Sequence, residues 1–400
     1  MSPIETESEA LAAADALAAA LRPGAAERDR APAGTVPWEA LALLDASGLL
    51  AITLPGDVGG LDAGPELLAE VVARLAAADP AIAQVPQAHF LLLDVLTVWG
   101  ADAVRDRLRA EVAAGGVRIG NALAERGGQH AQDLKTRLTR ADGGDGWRLD
   151  GAKHYCTGAL SARWIGVSAL DEAGRLQLVF VEREADGVGV ETDWDVIGQR
   201  ATVSGTVTFS DVVVEEELRL DFARAFEVPQ QLGARAQLVH AAIEAGIARG
   251  ALSDARTYLM DKARPSTEAV RAGAARAVDD PHVLHRYGRA AVDVRASDAL
   301  LADAARELEG IGLVPAGAEA AARGSLAVAA AKAFCSDVAV RVSSELFALC
   351  GTSSAQAKYD LDRHWRNART HSVHDPADWK YHHLGAYELA GVLPPNHSQL

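Results

Sequence analysis

The chain has 400 residues, 49 % of them hydrophobic, and a formal net charge of −16. That length fits two or three packed units sharing a large core, and the acidic balance argues against nucleic acid or an anionic membrane as main partner, leaving small molecules or proteins. The three cysteines, Cys156, Cys335 and Cys350, are odd in number and scattered, which fits a reducing compartment and no disulfide framework.

No basic segment followed by an apolar core opens the sequence, and no run is read as long enough to span a membrane, so a cytoplasmic protein is expected. Residues 7 to 21 predict an Ala/Leu-rich helix, RPGAAERDRAPAGT reads as a polar loop, and Pro37 opens a helix that Gly48 should close. GLLAITLPGDVGG, ending at Gly60, combines a short apolar stretch with a turn. Helices are predicted over about 65 to 78, 81 to 99 and 102 to 114, the second carrying His89 inside PQAHFLLLDVL. A lone histidine on an apolar helix is more often a satisfied core residue than a catalyst.

From Val117 the texture changes to short β-prone runs, VRIGNALA, TRLTRA, GWRLDGAKHYC, RWIGVSAL, LQLVFVE and TVTFSDVVV, separated by turns such as GGDG and DEAG. This spacing predicts a small β-barrel or sandwich. After about Leu218 long helices are predicted, at roughly 227 to 262, 281 to 310, 315 to 350 and 356 to 371. The fold class expected is mainly α with a central β-barrel: a helical domain over residues 1–116, a middle β domain over 117–222 and a helical bundle over 223–400.

The stretch DRHWRNARTHSVHDPADWKYHHLGAYELAG, from Asp362 to Gly391, holds five of the 12 histidines and two of the 7 tryptophans. Pro376 disfavours a helical conformation at Asp375, so a helix should stop there and a second begin, with Asp375 as N-cap, Pro376 at the first helical position and Asp378 complementing the dipole. His371 to Asp375 then forms a joint carrying two imidazoles and a carboxylate. Read alone, these could be solvated histidines and an ordinary cap. A metal site is not expected, because the spacing matches no zinc motif and no second ligand cluster stands elsewhere in the chain.

GLLAITLPGDVGG and DGWRLDGAKHYCTGA resemble the N-terminal signature and the middle-domain strand pair of the acyl-CoA dehydrogenase superfamily. DWDVIGQRATVSGTVTFSDVVV and RHWRNARTHSVHDPADWKY are similar to its branch of reduced-flavin-dependent monooxygenases, typified by dibenzothiophene monooxygenase and sulfur-acquisition enzymes. The resemblance covers nearly the whole chain. It implies a helical N-terminal domain, a β-barrel and a four-helix bundle, usually as a homotetramer, with a flavin between barrel and bundle.

The same resemblance implies roles residue by residue. Asn121, the segment Tyr155, Cys156, Thr157 and Gly158, Trp194 and Ser204 fall where the family lines its flavin and substrate pocket. His89, His371 and His374 fall at its active-site histidines, and Arg264 resembles the bundle arginine that reaches a flavin phosphate. Asp375 falls at one of the places open to the dehydrogenase glutamate, and Cys156 stands where relatives often have serine.

The activity implied is a two-component monooxygenase taking FMNH2 from a separate NAD(P)H-dependent flavin reductase and using O2 to oxygenate a sulfur or nitrogen centre of a small organic molecule. A flavin C4a-hydroperoxide survives only where water is excluded, and imidazoles at His371 and His374 suit the control of its protonation. The alternatives are an FAD-dependent acyl-CoA dehydrogenase or nitroalkane-oxidase-like enzyme, and a non-catalytic oligomeric scaffold. Aspartate at 375, a methylene shorter than glutamate and backed by Pro376, disfavours dehydrogenation.

Overall fold

The computed structural model of the chain describes residues 4–127, 133–141, 143, 146–397 and 400, so Gly144 and Asp145 of the GGDG turn lie outside them. The N-terminal part is helical: α1 (Glu7–Leu21), α2 (Ala25–Arg30), α3 (Trp38–Asp45), α4 (Pro65–Ala78), α5 (Pro80–Gln84), α6 (Gln87–Trp99) and α7 (Asp102–Ala113). Thr6 and Glu9 form a reciprocal capping box that starts α1, and Gly48, at φ +79°, provides the left-handed turn after α3. GLLAITLPGDVGG is wound into two short 3-10 turns, Leu49–Ala51 and Gly56–Val58.

The helix expected over 81 to 99 is broken. Asp79 Oδ1 caps α5 by accepting from the Ala81 and Ile82 N–H groups, and Pro86, without an N–H, separates α5 from α6. Contrary to the expectation from sequence, Pro80–Trp99 does reach the length and apolarity of a membrane span. It is mostly buried inside the protein, as a core helix would be.

The middle part is one curled eight-stranded sheet: β1 (Ile119–Ala122), β2 (Arg137–Arg140), β3 (Trp147–Lys153), β4 (Trp164–Leu170), β5 (Leu176–Glu182), β6 (Val188–Val190), β7 (Val207–Val214) and β8 (Arg219–Leu220). The order is β6-β7-β3-β2-β4-β5-β8, with β1 pairing in parallel with β4. Six strands fall inside the β-prone runs. The short strands β6 and β8 carried no such signal, being three and two residues long and defined by their partners β7 and β5.

The C-terminal part comprises α8 (Arg224–Glu227), α9 (Leu232–Asp261), α10 (Thr267–Arg271), α11 (Pro281–Ile311), α12 (Ala318–Cys350), α13 (Asp362–Ser372) and α14 (Ala377–Ala390). α12 packs against α9, α11, α13 and α14, and α9 also packs against α4, so bundle and N-terminal helices share one core. Between Leu238 and Ala248 every residue of α9 is buried. A helix apolar all round belongs in a core, which makes the two polar side chains within that stretch, His240 and Glu244, exceptional.

Asp375 is not the N-cap of α14. The helix begins at Ala377 with Pro376 as N-cap and no side-chain capping bond. The Asp375 carboxylate is buried, 2.5 Å from Lys380 Nζ on the first turn of α14 and 3.9 Å from Lys332 Nζ on α12, so it pairs with cations instead of capping N–H groups.

Candidate functional site

Two walls meet between sheet and bundle. On the sheet side the chain leaves β3 and passes through Tyr155 at φ +58°, while the facing loop before β7 carries Gln199 at +52° and Val203 at +48°. Three of the six non-glycine residues with positive φ among the described residues therefore sit on this wall, and for the β-branched Val203 the conformation is strained. They turn a row of hydroxyls toward each other. Thr157 Oγ1 lies 2.8 Å from Ser204 Oγ, which lies 2.8 Å from Thr202 Oγ1, and that hydroxyl donates to the Gln199 carbonyl at 2.9 Å.

Asn121 joins this wall from β1. Its N–H donates to the Thr157 carbonyl at 3.1 Å and its Oδ1 accepts from the Leu123 N–H, leaving the amide nitrogen without a hydrogen bond among the described residues. Trp194 Nε1 donates to the Gln199 carbonyl at 2.9 Å, and its ring meets Tyr155 edge-on at 6.1 Å, with the Arg126 guanidinium 4.9 Å from the tyrosine ring. Gly158, at φ +76°, donates to the Thr202 carbonyl, and a Cβ there would lie 3.2 Å from the Val85 carbonyl. A side chain there would combine a strained left-handed φ with a tight approach to that carbonyl, which favours glycine.

The bundle wall is built of charge. Glu244 Oε1 lies 2.6 Å from Lys332 Nζ and its Oε2 accepts from Ser336 at 2.6 Å. Lys332 Nζ is in turn 3.9 Å from Asp375 Oδ1, and Asp375 Oδ2 is 2.5 Å from Lys380 Nζ. The result is an alternating row, Glu244, Lys332, Asp375, Lys380, in which all four residues are buried. Burial pushes the Glu244 and Asp375 carboxyls up, but their neighbours, led by Lys332 for Glu244 and by His374 and Lys332 for Asp375, hold both below the usual carboxylate range. His374 Nδ1 is 3.7 Å from Asp375 Oδ1, too far for a hydrogen bond, so its pull is electrostatic.

Three imidazoles lie against this row. His371 Nδ1 is 3.0 Å from Glu244 Oε1, and its Nε2 is 3.1 Å from His240 Nδ1. The His240 ring stacks on His374 with centroids 4.1 Å apart and planes tilted by 31°. Desolvation, then neighbouring positive charge, holds His240 well below the ordinary histidine range, and desolvation lowers His371 against the opposing pull of Glu244. His374 is exposed at the joint.

A single loop ties the walls together: the Gln199 N–H donates to Asn367 Oδ1 at 2.5 Å, one turn before His371 on α13. Of the residues singled out from sequence, Asn121, Tyr155, Thr157, Gly158, Trp194 and Ser204 share the sheet wall, while His371, His374 and Asp375 share the bundle wall. The other three stand apart. His89 is fully buried with Nε2 2.9 Å from the Leu50 carbonyl and Nδ1 accepting from the Ile119 N–H, so both ring nitrogens are spent on backbone. Burial pushes its pKa down to about 4, and the geometry makes it a neutral strut joining α6 to β1.

The Cys156 side chain points into the sheet core, where burial pushes its thiol up to about 12, and only its backbone belongs to the wall. Arg264 is exposed beyond the end of α9. From His240 to that end is roughly 30 Å along the helix axis, so Arg264 does not reach this site within one chain.

His240, Glu244, Lys332, Lys380, Gln199 and Thr202 were missed. Their signal was faint but present: His240 and Glu244 stand four residues apart in the apolar run QLVHAAIEAG, and Lys332 and Ser336 four apart in AKAFCS, each pair on one helix face.

The polar groups of the sheet wall suit a flavin. Both amide atoms of Gln199, and the Gln84 and Gln237 amide oxygens, are buried without hydrogen-bond partners among the described residues. Each such orphan costs about 1–3 kcal/mol. The alternating N–H and carbonyl groups of a flavin's pyrimidine edge are of the type to satisfy amides, and the adjoining hydroxyl row adds acceptors, its protons being spent along the row and on the Gln199 carbonyl. Asn121, Thr157, Ser204 and Gln199 are the residues that would hold it.

The chain matches the acyl-CoA dehydrogenase N-terminal domain over residues 5–116, the middle domain over 122–212 and the C-terminal domain over 238–379. It is 33 % identical to a dibenzothiophene monooxygenase of Rhodococcus erythropolis across 97 % of this chain and 95 % of that protein. It is 35 % identical to a probable FMNH2-dependent monooxygenase, SfnC, of Pseudomonas putida across 96 % of both. The crystal structure of FMN-bound TdsC from a Paenibacillus species superposes with a TM-score of 0.92 at 29 % identity, covering 98 % of this chain and all of that one.

Proposed function

This chain belongs to the acyl-CoA dehydrogenase family, within its monooxygenase branch, and from that premise we propose that it is an FMN-dependent monooxygenase oxygenating sulfur centres of small organic molecules. The observation that carries this reading over dehydrogenation is the fate of the carboxylate at the joint. A dehydrogenase base must be free to take a proton. Asp375 is clamped between Lys380 and Lys332 and held ionised, so accepting a proton would break a buried ion-pair row. What remains to exchange protons is imidazole.

When bound, reduced FMN supplies the electrons that activate O2. The chain's own residues do the rest. Thr157, Ser204, Asn121 and Gln199 fix the orientation of the flavin edge, Trp194 and Tyr155 close one side against water, and His374, at the mouth, donates or accepts a proton at the reacting oxygen. Oxygen transfer to sulfur then competes with loss of hydrogen peroxide, and the position of His374 decides between them.

FMNH2 comes from a separate NAD(P)H-dependent reductase, in keeping with a partner that the relatives' dependence on FMNH2 requires. Nitrogen centres are a secondary substrate class. Assembly is a homotetramer, in which Arg264, too distant from its own chain's site, meets the flavin phosphate of a neighbouring copy. The three free, buried cysteines support a cytoplasmic setting.

The test is an anaerobic titration. The purified protein binds reduced FMN more tightly than oxidised FMN and carries no FAD. Stoichiometric FAD that is bleached by an acyl-CoA would overturn the reading.

A further inference from the structure

The bundle wall contains more than the two joint histidines require. We propose that Glu244, His371 and His240 form a buried proton relay whose working end is Nε2 of His240, with Lys332 as the positioning residue that keeps Glu244 a carboxylate. The relay's role in turnover rests on the monooxygenase reading above, whereas its tautomer pattern does not.

The pattern follows from hydrogen-bond chemistry. Ionised Glu244 can only accept, so at 3.0 Å the proton between Glu244 Oε1 and His371 sits on His371 Nδ1. Neutral His371 then has a bare Nε2, which can only accept. At 3.1 Å from it, His240 Nδ1 must carry the next proton. That leaves His240 Nε2 bare, and it makes no hydrogen bond with the described residues. Two carboxylate-directed steps thus place a basic nitrogen on a ring stacked 4.1 Å from His374, which is exposed at the joint.

Charge supports the same arrangement. Lys332 and Ser336 hold both Glu244 oxygens, so Glu244 steadies an imidazolium without taking its proton, as the aspartate of a serine-protease triad does. The groups facing His240 are Glu244 on its own helix, His371 on α13, His374 at the joint, Lys332 on α12 and Lys380 on α14. When His240 Nε2 takes a proton from a reacting group, its Nδ1 proton passes to His371 Nε2, and His371 keeps its Nδ1 proton on Glu244. The return step reverses each transfer, and no electrons move.

The experiment uses the full chain, free of flavin, with histidine rings labelled by 15N and read by NMR. Two buried imidazoles should show the Nδ1–H, bare-Nε2 tautomer, which is the minor form of free histidine. Glu244→Leu combined with Lys332→Met replaces the buried pair by apolar side chains of similar volume, a change of the kind folds tolerate, and the pattern should vanish from both rings. His240→Phe is the second variant, and should leave His371 as Nδ1–H. An Nε2–H proton on His240, or an unchanged pattern in the double variant, would overturn the relay.

A second arm adds reduced FMN and air without substrate and follows hydrogen peroxide release as pH falls below about 6.5, the range into which burial moves the titration of His240. The rate should vary with pH in the unaltered protein and lose that dependence in His240→Phe. Retained dependence contradicts a role in turnover. If the unaltered protein binds no reduced FMN, the monooxygenase reading fails, and the tautomers still decide whether the relay exists.

Discussion

The two walls of the site solve opposite problems. The sheet wall has no buried ion pair, is drawn from short segments around Tyr155–Gly158 and Gln199–Ser204, chains its hydroxyls to one another, and leaves the Gln199 amide without a partner among the described residues. The bundle wall is charged, drawn from α9, α12, the joint and α14, and its ionised groups pair with one another. The first is a receptor and the second is a preorganised electrostatic unit. The difference teaches that removing one member should be mild on the sheet side and severe on the bundle side, where it strands a buried charge.

Lys332→Ala is the sharpest way to break that contrast. It leaves Glu244 short of its cation and should cost about 3–5 kcal/mol in chemical denaturation, whereas Glu244→Leu with Lys332→Met should cost far less. Asp375→Asn comes next. A cap would tolerate asparagine, but here Lys380 loses a buried partner at 2.5 Å, and a loss of about 3 kcal/mol is expected.

The folded pKa values of His240 and His371 lie below the unfolded value, so the unfolded chain binds more protons as pH falls. Their stabilising contribution is complete above the unfolded pKa of about 6.5 and is lost below it, at up to about 1.4 kcal/mol per pH unit for each ring. Denaturation midpoints between pH 7 and 5 should therefore fall, and His240→Phe should remove one ring's share of the slope. On the sheet wall the expected effects are smallest: Ser204→Ala should weaken binding of reduced FMN by about 1 kcal/mol, or roughly fivefold, by titration.

What could be read from sequence follows the same division. The hydroxyl wall lies in contiguous motifs, so Thr157, Ser204 and Asn121 could be singled out without knowing how the sheet curls. The joint was visible because Pro376 interrupts a helix, yet Asp375 was misassigned as a cap because a carboxylate that pairs with Lys380 five residues on and with Lys332 on another helix leaves the same local pattern as one that caps. Glu244 and Lys332 are 88 residues apart on different helices, and only packing makes them a pair. His89 was the converse error, a motif position whose ring is consumed by the Leu50 and Ile119 backbone. The order of helices, strands and bundle was legible from periodicity, whereas β6 and β8 were too short to carry any.

The central claim is that this site transfers oxygen and does not abstract an α-proton. The most direct measurement supplies the purified chain with reduced FMN, O2 and a panel of thioethers including dibenzothiophene, and records oxygenated product per O2 consumed for the unaltered protein and for His374→Ala. The account predicts sulfur oxygenation by the unaltered chain and a shift to hydrogen peroxide with little product in the variant. Oxidation of an acyl-CoA by the unaltered chain, with no oxygenated sulfur product from any thioether, would contradict it.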